Sequence, residues 1–238
     1  MGYKFYFQYT VTSYATDIEN NVSKKEKVIS SFLKLADTIG KDKVIWRYDP
    51  ILLNEKYTES YHKEWFDYLC NRLRNATEKC VISFVDSYKF LKDKFENLGI
   101  EDFSQKQIID IVSVLKKSAD KYNLSLATCA ENIDLSSLGI AHNKCIDDEL
   151  ISKIIGGKIK YKKDSSQRDE CGCMTSREVG MYGSCHHNCA YCYAAKKLPV
   201  KAYDANAPML CDSLNGDEEI TVYDKRISIH KDCQQTLF

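Results

Sequence analysis

Residues 44–50, VIWRYDP, form the stretch that decides the fold class. Its β-branched and aromatic residues suit a pleated strand, and Asp49 before Pro50 is the way such a strand runs out into a turn. Segments of the same texture lie at 4–12 (KFYFQYTVT), 79–86 (KCVISFVD) and 124–131 (LSLATCAE). Between them the apolar period lengthens to that of a helix. Val28, Ile29, Phe32, Leu33, Leu35 and Ala36 make one stripe, with Ser23 as the expected N-cap and Gly40 where a C-terminal cap belongs. The pattern returns at 61–73 and 105–122, and Gly156-Gly157 ends a further short helical segment.

Strand starts near 4, 44, 80 and 124 stand one βα unit apart, which predicts a parallel sheet with helical crossovers. A closed eight-fold barrel takes about 250 residues. Four units therefore give an α/β fold with a partial, TIM-barrel-like parallel sheet, placed at residues 1–160. From Lys160 the texture turns polar (KYKKDSSQRDE), then cysteine-rich, then into a tail with Pro199, Pro208 and Asn215-Gly216. Residues 161–238 read as an irregular cysteine-rich module whose order would come from a metal crosslink more than from burial.

Thirty-four basic and thirty-four acidic residues cancel, so there is no strong nucleic-acid signal. No apolar run reaches the roughly 18 residues that cross a bilayer, and the N-terminus has no leader pattern, so a cytoplasmic location without a membrane partner is expected. Eleven cysteines are many for such a chain, and their number is odd. Cys70, Cys80, Cys129, Cys145, Cys211 and Cys233 are scattered, whereas Cys171, Cys173, Cys185, Cys189 and Cys192 crowd together. In a reducing compartment this density points to metal ligation before disulfides.

Cys185, Cys189 and Cys192 form C-x3-C-x2-C with Tyr191 before the last cysteine. Three thiolates on one short loop, with Gly183 at its entry, can hold three corners of a [4Fe–4S] cluster; a structural zinc knot is the alternative. Cys171 and Cys173 could close the cluster, bind a second metal or pack as small apolar residues. His186 and His187 read as loop residues more than ligands, and Lys196 and Lys197 could offset cluster charge.

This motif resembles the cluster loop of the radical S-adenosylmethionine superfamily, although it follows the βα units here and precedes them there. A closer likeness runs through KVIWRYDPIL, KCVISFVD, TCAENIDLSSLGIAHNKCIDDELI and CGCMTSREVGMYGSCHHNCAYCYA. On these stretches the chain is similar to the DUF1848 family, bacterial proteins with a C-terminal cysteine cluster likened to that of radical S-adenosylmethionine enzymes. The resemblance implies further βα sequence ahead of Tyr3, so the chain reads as N-terminally shortened. It also implies a [4Fe–4S] cluster, with S-adenosylmethionine as the further ligand of its open iron.

Chemistry in parallel α/β folds collects at the carboxyl ends of strands. Gln8, Thr10, Arg47, Asp49, Asp86 and Glu131 are the expected mouth for a substrate or cofactor, with Ser83, Thr128 and Cys129 beside them, and Cys129 and Cys145 as spare thiols. No dinucleotide fingerprint, phosphate-cradling loop, H-E-x2-H or G-x-S-x-G is present. The expected function is therefore that of an iron–sulfur protein with a small-molecule or redox partner. An enzyme, an electron-transfer or sensing protein and a zinc-stapled interaction module all remain open.

Overall fold

The alternating apolar runs pair side by side in chain order. The computed structural model describes residues 2–194, 203–213, 216–217 and 229–230. Strands β1 (Phe7–Thr10), β2 (Val44–Ile51), β3 (Lys79–Phe84), β4 (Ser125–Thr128) and β5 (Ala141–His142) form one sheet in the order β1-β2-β3-β4-β5. Every neighbouring pair is parallel. Helices α1 (Lys25–Ile39), α2 (Glu59–Leu73), α3 (Lys92–Asn97) and α4 (Gln105–Lys121) lie in the crossovers. The sheet is open, as the predicted four units require. Beyond it come α5 (Asp148–Ile155) and β6 (Lys158–Ile159), which pairs antiparallel with β7 (Ile229–His230).

Alternation along the strands sorts side chains between the two faces. Trp46, Tyr48, Cys80, Ile82, Phe84 and Leu126 pack with Phe32 of α1, Phe66 and Leu69 of α2 and Val112 and Leu115 of α4 in one buried core. Trp46 stacks on Phe66 with ring centroids 5.0 Å apart, and its indole N–H donates to Val11 O at 2.9 Å. His62, completely buried, donates from Nε2 to Leu52 O and accepts at Nδ1 from the Tyr48 hydroxyl, each at 2.8 Å. Ser13 completes this chain against the Tyr48 oxygen at 2.8 Å. The opposite face of the sheet carries Gln8, Arg47, Ser83 and Ala127.

Several local expectations change. The cap of α1 is Lys24, with no side-chain bond, and not Ser23. The helix begins at Lys25, whose ammonium is held by Glu19 in the preceding loop. β1 is shorter than 4–12, because residues 2–5 are exposed and Val11, Thr12 and Ser13 turn into the interior. β4 stops at Thr128, two residues before Ala130 takes a left-handed φ of 53°. Gly156 does end α5, in the left-handed conformation with φ 69°.

The N-terminus of α4 has a capping box: Ser104 accepts from Gln107 N at 3.3 Å, and the Gln107 side chain accepts from Ser104 N at 3.0 Å. Ser104→Ala should lower stability by about 1 kcal/mol in urea unfolding, with an unchanged slope.

Candidate functional site

Two cysteine groups lie around the strand ends. The first is the loop of Cys185, Cys189 and Cys192. It docks on the connection between β1 and α1 through backbone bonds, Ala190 N donating to Ile18 O at 2.7 Å and Asn21 N to His187 O at 3.0 Å. Asn21 Nδ2 adds a bond to His186 O at 2.8 Å. The side chains of His186 and His187 are exposed. Gly183 at the entry has φ 79° and Asn188 has φ 52°, the left-handed turns that Gly and Asn tolerate best.

Behind the loop lies Glu19, 3% exposed. Its carboxylate accepts from Tyr191 OH at 2.7 Å and also from Thr12 Oγ1 and Lys25 Nζ. Tyr191, the aromatic residue of the motif, is thus the pin that fixes the loop to the βα scaffold. Cys185 is exposed, while Cys189 and Cys192 are half-buried. Burial first, then the charge of Glu19 and of the neighbouring Cys192 and Cys185, push the Cys189 thiol up to about 11. Among the described residues, no three His, Cys, Asp or Glu side chains converge on one metal position. Lys196, Lys197 and Cys233 lie outside the described residues.

The second group sits on the sheet face opposite the helices. Arg47 donates to Asp49 through Nε at 2.8 Å and again through Nη2, and to Gln8 Oε1 at 2.9 Å. Asp49 also accepts from Ser83. The expected residues Gln8, Arg47 and Asp49 are thus brought together. The same guanidinium reaches Cys145 Sγ at 3.3 Å, and Cys145 Sγ lies 3.3 Å from Cys129 Sγ. Gln8 Nε2 and Tyr6 OH both donate to Cys145 O. Cys173 Sγ accepts from the amides of Cys145 at 3.1 Å and Ile146 at 3.3 Å, with Cys171 as its other sulfur neighbour. The C-x-C pair joins this group.

The remaining mouth residues flank it. Asp86 accepts from Arg168 of the cysteine-rich segment at 2.5 Å, and Arg168 also donates to Tyr88 OH at 3.0 Å. Tyr88 in turn faces Tyr193, next to Cys192, with ring centroids 6.0 Å apart. Glu131 accepts from Phe84 N at 2.8 Å, and burial, reinforced by Asp86 and Asp49, pushes its carboxyl up to about 7. Thr10, the sheet partner of Arg47, lines a cavity of about 480 Å³ together with Gln8, Glu19, Cys189 and Tyr191.

The sequence profile of a domain of unknown function, DUF1848, matches residues 1–194. The chain belongs to the DUF1848 family. The matched region takes in every strand of the parallel sheet and both cysteine groups, so the DUF1848 domain here is the whole βα scaffold with its docked loop. No curated protein matches the chain, and no solved structure does. No helix among the described residues is long and apolar enough to cross a membrane.

Reading residues singly missed Glu19, Lys25 and Thr12. In the run TDIENN an acid reads as a solvated loop residue, and only the later Tyr191 gives it a reason to be buried. The pairing of Cys129 with Cys145 was equally hidden, since it depends on β5, a strand of two residues with no period to detect.

Proposed function

We propose that this DUF1848 protein binds an iron–sulfur cluster through Cys185, Cys189 and Cys192, beside the mouth formed by the strand ends. The observation that carries the reading is the clasp on the loop: Asn21 holds its backbone and Glu19 holds Tyr191, so the three cysteines are carried on one short loop seated against the βα scaffold. The donor set fits the group chemically, because thiolates are the soft ligands of iron–sulfur clusters. Engagement of Cys173 by the Cys145 and Ile146 amides favours a ligand set of three thiols rather than four.

A [4Fe–4S] cluster with three thiolates supplies one-electron chemistry and one open iron, the place that S-adenosylmethionine takes in the radical superfamily this loop resembles. The chain's own contribution lies around it. Tyr88 and Tyr193 offer ring faces to an apolar or aromatic ligand. Glu131, half-titrated near neutral pH, can accept or donate a proton at its free carboxylate oxygen. Arg168 and Arg47 supply positive charge at the rim, each already joined to a carboxylate.

Anaerobic reconstitution with ferrous iron and sulfide tests the reading. The expected product holds about four irons per chain. Replacing Cys185, Cys189 and Cys192 together by alanine should abolish loading, and replacing Cys171 and Cys173 should not. A reduced-state paramagnetic resonance spectrum that changes on adding S-adenosylmethionine would support cofactor chemistry. An unmoved spectrum would leave electron transfer or sensing, and stoichiometric zinc without iron would replace the proposal by the zinc-stapled module.

A further inference from the structure

The second sulfur group is the part of the molecule that the proposed cluster does not use. Its two closest thiols come from different loops: Cys129 follows β4 and Cys145 follows β5. Both are fixed. Cys129 N donates to Ile82 O at 2.9 Å, which extends the sheet ladder, and the Cys145 carbonyl is held by Tyr6 and Gln8. Directly after Cys129, Ala130 adopts φ 53°, a left-handed conformation that costs an alanine free energy and aims the preceding residue.

The two sulfurs are not equivalent. The Arg47 guanidinium lies against Cys145, donating to its sulfur at 3.3 Å, and the Asn143 amide faces the same sulfur through Nδ2 at 3.8 Å. Residue 145 also borders an open cavity of about 400 Å³ lined by Phe5, Tyr6, Ile146, Ile151, Ile154 and Ile155. Neither thiol is fully buried. A sulfur separation of 3.3 Å needs to close to only about 2.05 Å to become a disulfide, a movement that side-chain rotation can supply.

We propose that Cys145 and Cys129 form a thiol–disulfide exchange centre, Cys145 attacking and Cys129 resolving, with a small organic disulfide as the oxidant. The Cys145 thiolate attacks one sulfur of R–S–S–R, whose S–S bond breaks and releases one thiolate. Cys129 then loses its proton and attacks the Cys145 sulfur of the mixed disulfide, releasing the second. Two thiol protons end on two R–SH molecules, the protein loses two electrons and the organic disulfide gains them. The hydrogen bond from Cys129 and the charge of Arg47 hold the Cys145 thiol below its ordinary range and outweigh its burial, in keeping with these roles. The pair shares no ligand with the proposed cluster, so either idea can fail alone.

Peptide mapping gives the test. Trypsin cuts after Lys121, Lys144 and Lys153, so Cys129 and Cys145 fall in separate peptides, 122–144 and 145–153. The full-length chain, purified without oxygen and equilibrated with glutathione disulfide, should yield these two peptides joined by a disulfide. Cys129→Ser should instead accumulate a glutathione adduct on Cys145, and Cys145→Ser should leave Cys129 largely unmodified. Iodoacetamide at neutral pH should alkylate Cys145 about ten times faster than Cys129. Circular dichroism of each variant separates a chemical effect from unfolding. Two results would overturn the proposal: no linked peptides in a folded wild-type chain, or equal modification of Cys129 with and without Cys145.

Discussion

Glu19→Ala is expected to destabilise the chain by about 3 kcal/mol, the loss typical when one partner is removed from a buried ion pair. The carboxylate is 3% exposed, and its partner Lys25 keeps only 19% of its side-chain surface. Without Glu19 the ammonium stays partly desolvated, and the hydroxyls of Thr12 and Tyr191 lose their acceptor. Glu19→Gln keeps the one oxygen that accepts from both hydroxyls but loses the charge facing Lys25, and should fall between wild type and alanine. Chemical denaturation measures the difference. The alanine variant should also expose Cys189 to thiol reagents, since the Tyr191 pin is gone. Stability within about 0.5 kcal/mol of wild type would show that the buried pair contributes nothing net.

The second large effect is a loss of stability in acid traced to His62. Burial pushes this imidazole down to about 4, against an unfolded value of about 6.5. Its neutral form is the one that fits, donating at Nε2 and accepting at Nδ1. For a base whose folded value is depressed, the contribution is fully present above the unfolded value and is lost as pH falls from 6.5 towards 4. Linkage puts the loss at roughly 2 kcal/mol by pH 5. Glu131 has the opposite sign in an overlapping window, because its raised carboxyl favours folding at low pH and loses that contribution as pH rises towards 7. Comparing wild type with His62→Gln removes this background. The two stabilities should converge by about 2 kcal/mol between pH 7.5 and 5, whereas parallel curves would mean that His62 binds its proton equally well in the folded and unfolded states.

Much of the scaffold was legible in advance because parallel strands buried on a face read as unbroken Val, Ile and aromatic runs. β2, β3 and the stripes of α1, α2 and α4 carry enough residues for a period to show. α3 and β5 are too short for that, and they exist because their neighbours hold them. Among candidate site residues, Gln8, Arg47 and Asp49 were legible because charged or amide groups on an apolar strand demand partners. The division of the cysteines was not. Cys173 stands nearer in sequence to Cys185 than to Cys145, yet its sulfur meets the amides of Cys145 and Ile146. Chain proximity left the place of Cys171 and Cys173 open, and the fold puts them beside Cys145.

The clasp between Asn21 and His187 also orders events in time. It joins residues more than a hundred and sixty positions apart, a loop whose closure is entropically unfavourable until the intervening chain has condensed. During synthesis the β1–α1 connection emerges early and waits, while its partner is among the last of the family domain to appear. The thiol loop can find its seat only on a sheet already built. The seat of the thiol loop is therefore a feature of completed molecules and not of nascent ones, because of where the two ends of the clasp lie along the chain.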